Sequence, residues 1–178
     1  MNQPDLNQIK AAVAQDPRNA ELRYLLGAEL AQQREYDAAV VEMNTALELD
    51  PNLHFARFQL GLLYLTMALP NQSIDTWAPL ESLDEDAALK YFKRGLEALI
   101  RDDFNSCVAL LRQGIQLNTQ NAPLNRDMNM VIDRVGAVVE PVPMPVPAPQ
   151  AAPMPEKSSP SGVRTDFSLY GDPGGTKH

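Results

Sequence analysis

The chain of 178 residues has one cysteine, Cys107, one tryptophan, Trp77, and two histidines, His54 and His178. A single thiol excludes an intrachain disulfide framework and any CxxC metal or redox motif. With so few histidines, far apart along the chain, no histidine pair or histidine–carboxylate set is evident for a metal or for acid–base catalysis. Long apolar runs are also missing: mean hydropathy is −0.28, and no stretch approaches the roughly eighteen residues of a membrane span. Positive charge is scarce, with 15 basic against 23 acidic residues, a net charge of −8. That balance opposes the basic footprint needed to hold a phosphate backbone, so nucleic acid is not an expected partner. The first residues, Met1-Asn2-Gln3-Pro4-Asp5, lack the basic stretch, apolar core and cleavage site of a secretory signal, which gives cytoplasmic as the expected location.

What is present is a period. Gly27, Gly61 and Gly95 lie 34 residues apart, each preceded three positions earlier by an aromatic residue: Tyr24, Phe58 and Phe92. The surrounding apolar residues recur at three- and four-residue spacing, which is helical. Twelve positions after each glycine stands a small residue, Ala39, Ser73 or Cys107, and four further on a large one, Met43, Trp77 or Leu111. Small and large slots alternate where two helices nest.

On these residues the chain resembles the tetratricopeptide repeat family, whose 34-residue helix-turn-helix unit has Leu-Gly in its first helix, small and large slots in its second, and a closing proline. Residues 20–53 match best, with Leu26, Gly27, Leu30, Ala39, Met43, Ala46 and Asp50-Pro51. Residues 54–87 keep Leu60, Gly61, Tyr64 and Trp77, but Leu80 replaces a small residue and Glu85 stands where the proline would be. Residues 88–121 keep Gly95, Cys107 and Leu111, with Arg94, Gly114 and Thr119 at positions usually filled by leucine, alanine and proline.

The fold expected from the resemblance is all-α: antiparallel helix-turn-helix units stacked as a short right-handed solenoid. It occupies residues 1–139, with an N-terminal helix at 4–15, repeats at 20–53, 54–87 and 88–121, and a final helix at 123–138. Pro79 falls inside the second helix of the second unit and should kink or end it, since a proline there costs about 3 kcal/mol. Of the charge, −7 belongs to the residues up to Val139 (nineteen acidic, twelve basic) and −1 to the rest (four acidic, three basic).

Residues 140–178 read as a proline-rich linker and disordered tail. Pro141, Pro143, Pro145, Pro147, Pro149, Pro153, Pro155 and Pro160 interrupt any helical ladder. In polyproline II, at ~3.1 Å per residue, the stretch from Glu140 to Pro160 would span roughly 65 Å. Beyond it, Phe167, Leu169 and Tyr170 read either as plain tail or as a docking cluster for the groove of the same or a neighbouring chain.

The resemblance implies peptide binding on a concave face lined by the first helices. The matching positions are Tyr24, Ala28, Phe58, Leu62, Phe92 and Leu96; the same aromatic row also reads as ordinary core packing. One family subgroup grips the C-terminal carboxylate of heat-shock chaperones; its clamp positions correspond here to Tyr24, Ala28, Gln59, Leu89 and Lys93, of which Lys93 alone suits the task, so that ligand is rejected. Cys107 in a small slot reads as a buried structural thiol and not a nucleophile. Asp84-Glu85-Asp86 and Arg101-Asp102-Asp103 read as solvated turns, and Gly171–Lys177 lacks the closing Gly-Lys-Ser/Thr of a phosphate loop.

The expectation is therefore a non-catalytic adaptor or assembly factor with no cofactor and no metal, holding an apolar or aromatic peptide in its groove. The alternatives are a secretion-type chaperone for an exported client and a scaffold that is autoinhibited or assembled by its own tail.

Overall fold

The structure, a computed structural model, describes residues 5–137. The proline-rich segment and the cluster of Phe167, Leu169 and Tyr170 lie outside the described residues. Eight α-helices are present among those described: α1 (Leu6–Gln15), α2 (Ala20–Gln32), α3 (Tyr36–Leu49), α4 (His54–Thr66), α5 (Pro70–Trp77), α6 (Ala88–Ile100), α7 (Phe104–Leu117) and α8 (Ala122–Gly136), with a 3-10 helix at Ala78–Ser82 after α5. No strand occurs among them. The terminal helices begin at Leu6 and Ala122, two residues after and one before the positions expected from the repeat register.

The helix starts follow from local chemistry. The Asn19 side chain accepts from the Leu22 backbone N–H, Asp103 from that of Ser106, and Asn121 from that of Leu124. Each satisfies one of the donors that a first turn leaves unpaired. Pro70 and Pro123 sit in first turns, where a missing N–H costs nothing.

The pairs α2/α3, α4/α5 and α6/α7 are the three antiparallel units, with α1 packed on α2 and α8 on α7, while α3 against α4 and α5 against α6 join neighbouring units. Within each pair the glycine admits the large side chain opposite. A Cβ on Gly27 would lie 2.7 Å from Met43 Cγ and one on Gly95 2.8 Å from Leu111 Cδ2; one on Gly61 would run into the indole of Trp77.

The turn inside each unit is built alike. Arg34, Ala68 and Asp102, again 34 apart, have φ of 65°, 59° and 59°. After each, the next N–H reaches back across the helix end: Glu35 to the Leu30 carbonyl, Leu69 to Tyr64 and Asp103 to Ala98, each at 2.9 Å. This is the left-handed helix stop usually given to glycine, made three times without one.

The second unit departs from the others at its second helix. Helix α5 has eight residues where α3 and α7 have fourteen, and Pro79 lies in the 3-10 turn that follows Trp77. The buried apolar residues fall into two cores. Ile9, Val13, Leu26, Leu30, Met43, Leu60 and Leu63 form one; Phe58, Trp77, Leu80, Phe92, Leu96, Leu111, Leu124 and Met128 form the other. Helix α4 contributes to both.

Candidate peptide-binding cleft

A cleft of about 470 Å³ opens between the first helices of the first two units. Helix α2 provides Tyr24, Ala28, Ala31 and Gln32, and α4 provides Gln59, Leu62, Leu63 and Thr66. Tyr36 and Met43 enter from α3, and Asp127 from α8. The α2 and α4 residues recur at three- and four-residue spacing and so share one helix face each. Tyr24 is half-buried, with its ring edge-on to Phe55 at 6.1 Å between centroids. Burial pushes its hydroxyl above the usual tyrosine pKa, so it stays a neutral donor and acceptor.

Of the positions expected to form a groove, Tyr24, Ala28, Gln59 and Leu62 come together here. Phe58, Phe92, Lys93 and Leu96 do not. Phe58 and Phe92 have no exposed surface and Leu96 only 2 %. Phe58 stacks on Trp77 at 5.8 Å and lies 6.1 Å from Phe92, while Gly114 lets Phe92 settle against α7. The Trp77 indole N–H donates to the Phe58 carbonyl at 2.9 Å, and the Ser73 hydroxyl donates to the Gly61 carbonyl at 2.6 Å. These two aromatics are core.

Lys93 is committed elsewhere. Its ammonium pairs with Glu81 at 2.7 Å and Glu97 at 3.2 Å, both from its buried position on α6. Arg94 also holds Glu81, and Lys90 bonds Glu85 at 2.6 Å and the Leu83 carbonyl at 2.9 Å. Hydrogen bonds from Arg94 first and Lys93 next hold the Glu81 carboxyl down to a pKa of about 2. The cluster ties the 3-10 turn and the loop after it to α6.

As lining residues, sequence reasoning passed over Ala31, Gln32, Tyr36, Met43, Leu63, Thr66 and Asp127. Ala31, Gln32, Leu63 and Thr66 follow from extending the α2 and α4 faces by one turn, whereas Tyr36 and Met43 come from α3. Asp127 carries no such signal, because its approach to α4 depends on how α8 packs.

Smaller clefts lie beside it. One of about 390 Å³ is lined by His54, Phe55, Leu83, Leu89 and Leu124 among others, and one of about 370 Å³ by Glu21, Leu25, Leu53 and neighbours. Cys107 is fully buried, and desolvation first, then the nearby Asp103 carboxylate, raises its pKa, the setting of an inert packing thiol. Among the described residues, no group of three or more His, Cys, Asp or Glu side chains could hold a metal, and no helix is long and apolar enough to cross a membrane.

With the geometry in place, comparison with known proteins is specific about the fold. The tetratricopeptide repeat family matches residues 20–53. No curated protein matches the sequence. The solved structure of the MamA RS-1 ArsTM double mutant is similar at a TM-score of 0.55 and 17% identity, covering 75% of this chain and 72% of that one. A crystal structure of MamA gives 0.53 at 22% identity, over 63% and 66%. Residues 41 to the end of MamA from Desulfovibrio magneticus RS-1 give 0.51 at 18%, over 75% and 73%. At these identities the likeness is one of fold. One unit of the chain thus matches the tetratricopeptide repeat, and two further units share its 34-residue period and its backbone turn.

Proposed function

We propose that the chain is a non-catalytic protein-interaction adaptor or assembly factor that holds an apolar or aromatic peptide segment in the cleft between α2 and α4. The observation that carries this reading is the cleft itself, where Tyr24, Ala28, Gln59 and Leu62, from two adjacent units, meet around about 470 Å³. That volume lies within the ~300–1,000 Å³ of ligand sites, which join apolar walls to a few placed polar groups. Ala28, Ala31 and Leu62 are the walls; the Tyr24 hydroxyl and the Gln32 and Gln59 amides are the groups able to bond a peptide backbone.

Ala28→Arg places a long cation in the cleft at a partly buried position on the edge of the first core. Affinity for captured apolar peptides should fall by tenfold or more, a loss of at least ~1.4 kcal/mol, while the helical circular dichroism signal and melting midpoint stay unchanged. Unchanged affinity in a folded Ala28→Arg protein would sink the reading. Removal of residues 140–178 in the same assay separates the tail-regulated scaffold, for which peptide affinity rises, from a free binding module, for which it stays constant. Dependence of one unstable client on this protein for its solubility would identify the chaperone variant.

A further inference from the structure

We infer that the cleft selects a basic–apolar peptide, one in which a lysine or arginine adjoins a large apolar side chain. The inference rests on the cleft being a peptide site and adds the chemistry of its occupant. Among the eleven lining residues Asp127 is the one charged group, and no lysine or arginine is present. The cleft of about 370 Å³ has Glu21 and no lysine or arginine, and the one of about 390 Å³ has no acid, lysine or arginine in its lining.

Several cations near these surfaces are engaged in other tasks. Arg23 bonds Glu42 at 2.7 Å and the Pro17 carbonyl at 3.0 Å, and Arg57 bonds the Pro51 carbonyl at 3.0 Å. Lys90, Lys93 and Arg94 are held by Glu81, Glu85 and Glu97. An anionic ligand would therefore meet Asp127 and no lysine or arginine in the lining of the cleft, against the −7 balance of the residues up to Val139.

A neutral apolar peptide would fill the walls and leave Asp127 unused. A flanking cation uses both. Asp127 is exposed at the rim, where one ion pair contributes modestly, at most about fivefold in affinity. The net negative field adds to the association rate and is screened by salt. Charge thus sets which apolar peptide is chosen, and the apolar walls set how firmly it is held.

The test uses the full chain and labelled peptides that share one leucine–phenylalanine core and differ only in their flanks: lysine, serine or glutamate. Fluorescence anisotropy at low salt should rank lysine above serine above glutamate, about tenfold from first to last, with the spread shrinking at high salt. Asp127→Asn should weaken the lysine peptide about threefold to fivefold and leave the serine peptide unchanged. Asp133→Asn, an exposed acid on the same helix outside the cleft, should do neither.

Equal losses for Asp127→Asn and Asp133→Asn would reduce the effect to overall charge and overturn the inference. Three peptides binding alike, each blocked by Ala28→Arg, would also overturn it while leaving the cleft as a peptide site. No binding of any peptide would bring down the site and its selectivity together.

Discussion

Gly61 is placed so that a Cβ would enter the indole of Trp77, the largest side chain of the second core. The indole cannot retreat, because its N–H is bonded to the Phe58 carbonyl and its ring is stacked on Phe58. Gly61→Ala should therefore cost about 3 kcal/mol, an overpacking penalty joined to a strained buried hydrogen bond. Gly27→Ala should cost less, since its nearest contacts, Met43 Cγ at 2.7 Å and the Ala39 carbonyl oxygen at 3.0 Å, are less close than those with the indole at Gly61. Urea titrations of the two variants decide this, and equal costs would show that the indole is not fixed. At this scale the 34-residue spacing alone makes the glycines and their partners legible in the sequence. The same spacing cannot separate Tyr24 from Phe58 and Phe92. All three occupy one register position, and whether such a residue is reachable depends on what packs over it: Trp77 and Leu80 over Phe58, and the close approach of α7 over Phe92.

Helix α5 shows what one proline does to an element and what the chain does in return. Pro79 is readable as a break, and the helix does end at Trp77. The response is not readable. Arg94 looks like a lost leucine until the shortened helix is seen to leave a 3-10 turn carrying Glu81, which Arg94 and Lys93 hold in place. Glu81 remains substantially exposed, with 44 % of its side chain accessible, so its pairs are screened and their worth is limited. Their pH dependence has a definite sign. The folded pKa of about 2 lies below the ordinary 4.5, so the contribution is complete above the ordinary value and is lost as pH falls from there through about 2. Glu81→Gln should destabilise the protein at neutral pH, and its difference from the parent should close over that window in denaturant titrations. A difference constant from neutral pH to pH 2 would mean the carboxylate is not what holds the turn.

For the whole molecule, α8 completes the second core. Leu124, Met128, Ile132 and Val135 are 2 %, 1 %, 8 % and 5 % exposed, and burying each such side chain is worth about 1.5–3 kcal/mol. Their sum is comparable to the ~5–15 kcal/mol that keeps a domain folded. A chain ending at Asn121 should accordingly lose hydrogen-exchange protection in α6 and α7, while α1 to α3, whose core lies on the other side of α4, retain theirs. Uniform protection in the shortened chain would show that the two cores are not separable. The stacking and its end helices are foreseeable from the family resemblance. That α8 also delivers Asp127 to the cleft is not, because a helix packing angle has no one-residue signature.

The three left-handed residues, Arg34, Ala68 and Asp102, give the array a property that no side chain carries. A segment running from one of them to the next, 35–68 or 69–102, begins and ends on the same backbone geometry. Such a segment is a cassette. Duplicating or excising it adds or removes one whole unit between turns of the same form, so that the side chains meeting at the new junction are what must be matched.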